Sequence, residues 1–267
     1  MADAKKVKSN GAAPKKIKRL HTLDEIRGFA VFCMIFYHAF YSLAMFFNLS
    51  WGRDLLNFFS PAEPYFAGLF IVISGISSCL SHSNLERGGK LLLIAMAVTI
   101  VTFFFDKNSI IVFGILHFLA ICMIFFGAIK NIIEKVPLVI VLILNVALFV
   151  LCYHIPNGYF GIKGLFELAI PSQYYESNYM FAFGLPSLTF ASADYFPLIP
   201  WMFLFFAGTA VGRLAARGKF PVGMYKLRIP FLSVMGRNAL FFYVIHQPVI
   251  IGVCYLVQWI IGLFAKT

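Results

Sequence analysis

The chain has 267 residues, of which 61% are hydrophobic and 12% charged, and a formal net charge of +11. A soluble domain carries about 25% charged residues, so this composition, with a mean hydropathy of +0.85, excludes an ordinary soluble protein and indicates a membrane one. In a soluble protein the positive charge would suggest nucleic acid; here topology accounts for it, and no nucleic-acid partner is expected.

Residues 1–19 are polar and hold Lys5, Lys6, Lys8, Lys15, Lys16, Lys18 and Arg19. They read as a disordered basic cytoplasmic tail lying against anionic lipid, and residues 20–267 as one transmembrane domain. No small-residue cleavage site follows the first apolar run, so a cleavable signal is not expected. That run, 20–38, reads L-H-T-L-D-E-I-R-G-F-A-V-F-C-M-I-F-Y-H. Thr22 and Glu25 fit a capping box that starts a helix at Thr22. Asp24 and Arg27, three apart, pair on one face. His38 follows Asp24 by fourteen residues, close to four turns, so it shares that face about 21 Å further along. An ionisable side chain at that depth faces a bundle interior or a wet cavity.

The pattern predicts an all-α, polytopic bundle of about seven spanning helices at 23–47, 64–82, 90–105, 110–129, 137–155, 198–216 and 231–264. The third is short, and Pro248 is expected to kink or break the last. With the N-terminus inside, eighteen of the 22 Lys and Arg lie on the cytoplasmic side, so the positive-inside rule sets the N-terminus cytoplasmic and the C-terminus outside. The expected location is the plasma membrane, with lipids as partners. The outer segment 156–197 is far longer than a connection needs. It reads either as a lid or substrate platform or as an aromatic segment resting on headgroups.

Several residues carry candidate chemistry. His117, in G-I-L-H-F-L-A, lies about 10 Å below the outer edge. Either it shares a cavity with His38 or it is a core histidine bonded to a neighbouring helix. Asp194, in D-Y-F-P-L-I-P-W, is an acid at the outer mouth that orients an imidazole or binds a substrate hydroxyl or amine; the competing reading is a helix cap. Asp106 is a weaker candidate of the same kind. Trp201 is an interface anchor. Gly208 and Gly212 form a G-x-x-x-G pattern that reads as close helix packing, and Ser74, Gly75, Ser77, Ser78 and Ser81 suit packing or a narrow polar tunnel. Arg213, Arg217, Lys219, Lys226, Arg228 and Arg237 form an inner basic cluster, read as topology and lipid binding or as a phosphate-binding mouth. The five Cys all fall in apolar runs and read as buried hydrophobes. No Walker loop, H-E-x-x-H, G-x-S-x-G or Cys/His metal spacing occurs, so no metal is expected. From the residues alone, an enzyme and a proton-coupled transporter or flippase using its histidines as a relay stand equal; a structural or sensory role is a third reading.

The run L-D-E-I-R-G-F-A-V-F-C-M-I-F-Y-H resembles the first-helix signature of transmembrane acyltransferases. With F-I-V-I-S-G-I-S at 70–77, F-G-I-L-H-F-L at 113–119, D-Y-F-P-L-I-P-W at 194–201 and G-R-N-A-L-F-F-Y-V-I-H-Q-P at 236–248, the chain is similar to small bacterial members of the heparan-α-glucosaminide N-acetyltransferase catalytic-domain family. The resemblance implies a membrane acyltransferase that moves an acetyl or acyl group from cytosolic acyl-CoA to an extracytoplasmic sugar or glycan. Fitted to that function, the residues and runs singled out above give an expected catalytic set of His38, His117 and Asp194, and a donor-binding set of Asp24, Arg27, Arg213, Arg237, Asn238, His246 and Gln247. His38 falls where the related family-3 glycan O-acyltransferases place their essential histidine. The acceptor, O- against N-transfer, acyl length and oligomeric state stay open.

Overall fold

A computed structural model describes residues 19–105 and 109–264. The basic tail up to residue 18 and Asp106 lie outside them. Nine α-helices are present among the described residues: α1 (His21–Met45), α2 (Ser50–Phe59), α3 (Glu63–Cys79), α4 (Asn84–Phe105), α5 (Ile115–Ile133), α6 (Leu138–Cys152), α7 (Leu198–Ala216), α8 (Pro230–Arg237) and α9 (Ala239–Phe264). Seven helical stretches are long and apolar enough to cross a membrane, α2 and α3 joining into one from Ser50 to Cys79. The architecture is the expected all-α polytopic bundle. Its one departure is a small antiparallel hairpin, β1 (Tyr159–Ile162) with β2 (Phe166–Ala169), inside the long connection.

The helices begin and end where local chemistry dictates. The basic and acidic residues that made the third span look short are absorbed by α4, whose first two turns hold an exposed Lys90–Glu86 ion pair at 2.6 Å. The expected Thr22–Glu25 capping box does not form. The helix α1 starts at His21 without a side-chain cap, and Glu25 Oε1 instead accepts the backbone N–H groups of Arg228 and Ile229 at 2.6 and 2.9 Å. A distant acid thus satisfies the donors that α8 leaves open at its entry. Pro248 does not break the last span either: α9 continues through it. The break falls at Asn238 (φ −106°, ψ 27°), just after Gly236 packs on α1.

Small residues set the packing. A Cβ on Gly75 or Gly208 would run into a backbone carbonyl of the facing helix, Phe205 or Val72, so α3 and α7 pack with their backbones in contact. Gly28 and Gly236 do the same for α1 and α8, and Gly88 for α4 against α5. This is the small-residue packing expected of Gly208 and Gly212. Ser74, Ser77 and Ser78 return their hydroxyls to carbonyls one turn back, at 2.8, 2.8 and 2.9 Å, and so add no tunnel of free polar groups. The densest core lies between α3, α5 and α7, around Ile71, Phe118, Cys122, Phe126 and Phe205. By contrast α4, α6 and α9 leave most of their apolar surface outward, the arrangement expected of lipid-facing helices.

Gly208→Val should destabilise the bundle by about 2 kcal/mol or more, because an added side chain meets backbone rather than a yielding side chain. Gly89→Ala, with nothing within 4 Å of its Cβ position, should not. Thermal unfolding in detergent checks the pair, which must differ for the α3–α7 contact to hold this role.

Candidate active site

One cavity of about 230 Å³ opens within the bundle. Its lining on α1 runs from Ala30 to His38, about 12 Å along the helix axis. The floor is apolar: Ala30, Val31 and Met34 of α1 face Ala67 and Phe70 of α3. The other end is polar, with Tyr37 and His38 of α1, Glu63 at the start of α3, Asp194 in the long connection and Tyr243 of α9. Ala193 to Phe196 form one wall, held by a bridge between Phe113 and Tyr195 and by the Phe196 N–H donating to Phe113 O at 3.0 Å. The far end of the long connection therefore is a cavity wall, whatever its hairpin rests on.

His38 is half-buried, and neither ring nitrogen has a partner among the described residues or is sealed from the cavity. Its ring packs 4.9 Å from the ring of His246, centroid to centroid. Asp194 is held more firmly. Its Oδ2 accepts the Ile115 backbone N–H at 3.0 Å and the Tyr243 hydroxyl at 2.6 Å. Asp194 does not cap α7, the helix it precedes, whose N-cap position is Pro197; it reaches the head of α5 instead, and the same carboxyl still lines the cavity. Burial pushes it above the usual Asp value, an effect only partly offset by the Tyr243 and Ile115 bonds.

The remaining expected site residues are distributed differently. His117 does not share the cavity with His38. It sits in a separate narrow crevice, its Nε2 3.2 Å from Thr99 Oγ1 and its ring stacked near Phe113. Asp194 and Tyr243 line both spaces and form the partition between them. At the other end of α1, Arg27 pairs with Asp24 at 3.6 Å, as the spacing predicts, and Asp24 also binds Arg19 at 2.7 Å. The Arg27 guanidinium donates to Ser77 Oγ and, at 3.3 Å, to Gly236 O, tying α1 to α3 and α8. Arg213 is buried at the end of α5, where it donates to the carbonyls of Val136 and Glu134 at 2.8 and 3.0 Å. Arg237 and Asn238 are exposed and bond back to their own helix. His246 and Gln247 lie at the His38 end: Gln247 Nε2 donates to Ser42 Oγ at 2.9 Å. Along α1 from Arg27, His246 beside His38 is therefore about 16 Å away and Gln247 beside Ser42 about 22 Å, and neither lies next to it.

Sequence reasoning passed over three cavity residues. Glu63 has no ion pair or hydrogen bond among the described residues; its signal was an acid set immediately before Pro64 at the head of an apolar run. Tyr243 lies three residues before His246, on the same helical face. Trp201, expected at the membrane interface, packs on Phe149 and Phe196 and also lines the cavity.

The model for the catalytic region of heparan-alpha-glucosaminide N-acetyltransferase matches residues 19–248. The chain belongs to that family. No curated protein and no solved structure matches it. The matched range contains every residue that lines the cavity, together with His246. Family membership places the chain among membrane acetyltransferases, and the seven apolar spans agree with a multi-pass protein. Among the described residues no group of three or more His, Cys, Asp and Glu is placed to hold a metal ion.

Replacing Asp194 by Ala in this acetyltransferase-family chain strands the Ile115 N–H and the Tyr243 hydroxyl, at a cost of about 1–3 kcal/mol for each buried unpaired group. A double-mutant cycle with Tyr243→Phe should show coupling of about 0.5–3 kcal/mol, read from unfolding in detergent. The sign with pH follows from the raised carboxyl. A group whose folded pKa lies above its unfolded value contributes stability that is complete below the unfolded value, here 3.8, and is lost as pH rises through the folded one. Asp194→Asn should therefore weaken the loss of stability on going from acid to neutral pH.

Proposed function

We propose that this chain transfers an acetyl or similar acyl group from cytosolic acyl-CoA to a hydroxyl or amine of an extracytoplasmic saccharide. The observation that carries the reading is His38, an imidazole with both ring nitrogens unpaired at the polar end of a cavity that is apolar at its other end. Such a cavity suits a thioester arriving from the apolar side and a polar acceptor arriving from the other. The inner face, with Asp24, Arg27 and the exposed Arg237 and Asn238, is the proposed approach of the CoA phosphates; guanidinium groups bind phosphate in this way. Arg213, already bonded to three carbonyls of the α5–α6 turn, supports that face by fixing the turn.

In the proposed reaction His38 acts as general base. It removes a proton from the acceptor O–H or neutral amine as that atom attacks the thioester carbon. The tetrahedral intermediate collapses with cleavage of the C–S bond. The CoA thiolate leaves and takes the proton back from the His38 imidazolium, giving CoA-SH and the acylated acceptor. Glu63 and the free Oδ1 of Asp194 accept hydrogen bonds from acceptor hydroxyls or an amine, and Trp201 and Tyr37 offer ring faces to a sugar. His117, on the far side of the wall that Asp194 and Tyr243 form, assists only as a positioning residue, its ring stacked near Phe113, to which the wall is bonded. The N-terminus lies inside and the C-terminus outside in this reading, in the plasma membrane.

The test is release of CoA thiol and transfer of labelled acetyl by the purified protein in detergent, with glucosamine as an amine-bearing probe and glucose as a hydroxyl-only probe. His38→Ala should lower kcat by about 10²- to 10⁴-fold, the usual contribution of a general base, with donor binding intact. Arg27→Ala should raise KM for acetyl-CoA with less effect on kcat. Unchanged turnover in the His38 variant removes that residue from the mechanism. Proton-driven sugar flux in liposomes with no thiol release would replace the enzyme by a transporter.

A further inference from the structure

The His246 side chain carries a buried polar atom that the reaction above does not use. The residue is 8% exposed, and its Nε2 is sealed with no partner among the described residues. Its other nitrogen, Nδ1, lies 2.6 Å from the backbone oxygen of Tyr243. A carbonyl oxygen only accepts, so Nδ1 carries the proton. The neutral ring then presents a bare lone pair at Nε2; a second proton there would be a buried donor with nothing to receive it. Two rings pack against that of His246: His38, with centroids 4.9 Å apart and planes inclined at 54°, and Tyr243, at 5.7 Å, whose hydroxyl is already given to Asp194. Ring nitrogens sit on the perimeter, so two rings at this separation leave room for an N–H of His38, turned to face His246, to meet that lone pair, a bond not made in the structure.

We propose that His246 is a positioning residue for His38: its Nε2 accepts the His38 ring N–H and fixes the tautomer whose bare nitrogen faces the cavity. The backbone of α9 sets the first tautomer, through Tyr243 O, and His246 passes the choice on to α1. When His38 takes the acceptor proton it has two N–H groups. One stays bonded to His246, and the other is returned to the departing thiolate. The lone pair at His246 Nε2 thus also stabilises the imidazolium, as the third group does in a nucleophile–base–orienter set. The inference rests on His38 being the base, but its spectroscopic test does not.

Two substitutions separate the nitrogens. His246→Asn keeps a donor near the Nδ1 position for Tyr243 O and removes the acceptor. His246→Gln keeps an acceptor oxygen near the Nε2 position. With acetyl-CoA and glucosamine as probe, the Asn variant should lose about 10- to 100-fold in kcat, the size of effect typical of an orienting partner, with KM for acetyl-CoA unchanged, and Gln should recover most of the loss. Wild-type kcat in the Asn variant overturns the proposal, as does an equal fall in both variants. Ring-¹⁵N-labelled wild-type protein gives the independent readout. One His38 tautomer with its N–H bonded to His246 is expected; exchange between tautomers without that bond overturns the proposal even if neither variant folds. If no acetyl transfer is found at all, the reaction reading fails while this spectrum still decides the His38–His246 contact.

Discussion

One carboxylate oxygen, Asp194 Oδ2, joins three parts of the chain that sequence separates by up to 128 positions. It accepts from Ile115 at the head of α5 and from Tyr243 in α9, while its own backbone belongs to the wall between them. A carboxylate is favoured at a helix N-terminus by the exposed N–H groups and the helix dipole. Gly114 is needed beside it, because a Cβ there would overlap Oδ2. The cavity exists because this tie holds the wall against α9 on one side and α5 on the other. The same tie makes the partition that keeps His117 out of the space His38 faces.

The helices that frame the cavity hold their positions through backbone contact. Gly75 and Gly208 let α3 and α7 touch, and Gly28 and Gly236 let α1 and α8 touch. Contacts of this kind tolerate little sliding, so α3 keeps its height against α7 and α1 against α8, while the bond from Arg27 to Ser77 ties α1 to α3. Apolar association between helices is weak in lipid, where tails compete for the same surface, and close small-residue packing with interhelical hydrogen bonds takes its place. Arg27 supplies such bonds at the far end of α1, and Glu25 clamps the entry of α8. Both are charged residues turned inward, as intramembrane charges are expected to be.

What the sequence made legible follows from what is periodic and local. Apolar runs of membrane length gave seven spans, and the three-residue spacing of Asp24 and Arg27 gave their pair. The Gly208–Gly212 repeat marked α7 as a close-packing helix, though not α3 as its partner. His38 was visible because one imidazole in an apolar helix needs a reason. The rest depends on partners distant in the chain. Glu25 looked like a local cap because nothing near it shows that Arg228 and Ile229 offer it two N–H groups. Asp194 looked like an acid or a cap of the helix it precedes; it reaches the head of α5 instead and also lines the cavity, a double role that only the meeting of α5 and α9 reveals. His117 and His38 matched in depth, but depth says nothing of the side of a partition on which a ring falls. His246 and Gln247 joined the donor-binding set through the run they share with Arg237 and Asn238; eight residues of helix carry His246 about 12 Å from Asn238, to the His38 end.

Three histidines of these helices lie near the cavity, His21 standing apart at the other end of α1, and their surroundings distinguish them. His117 is 4% exposed, with Nε2 near Thr99 Oγ1 and Nδ1 sealed. His246 is 8% exposed, with Nδ1 bonded to a carbonyl and Nε2 sealed. A sealed ring cannot reach an acceptor proton without moving the helix that carries it. His38 alone of the three has both nitrogens unpaired and open to the cavity. Leaving a polar group unpaired in a bundle interior costs free energy; beside His38, Tyr243 and Asp194 are already bonded to each other, and Glu63 is another cavity group without a bond among the described residues. A base must meet a proton that arrives only with the substrate, so a ring without protein partners on the cavity side is the one suited to that task. The neighbouring rings, each fixed by a bond or by burial, supply the rigid frame against which it is held.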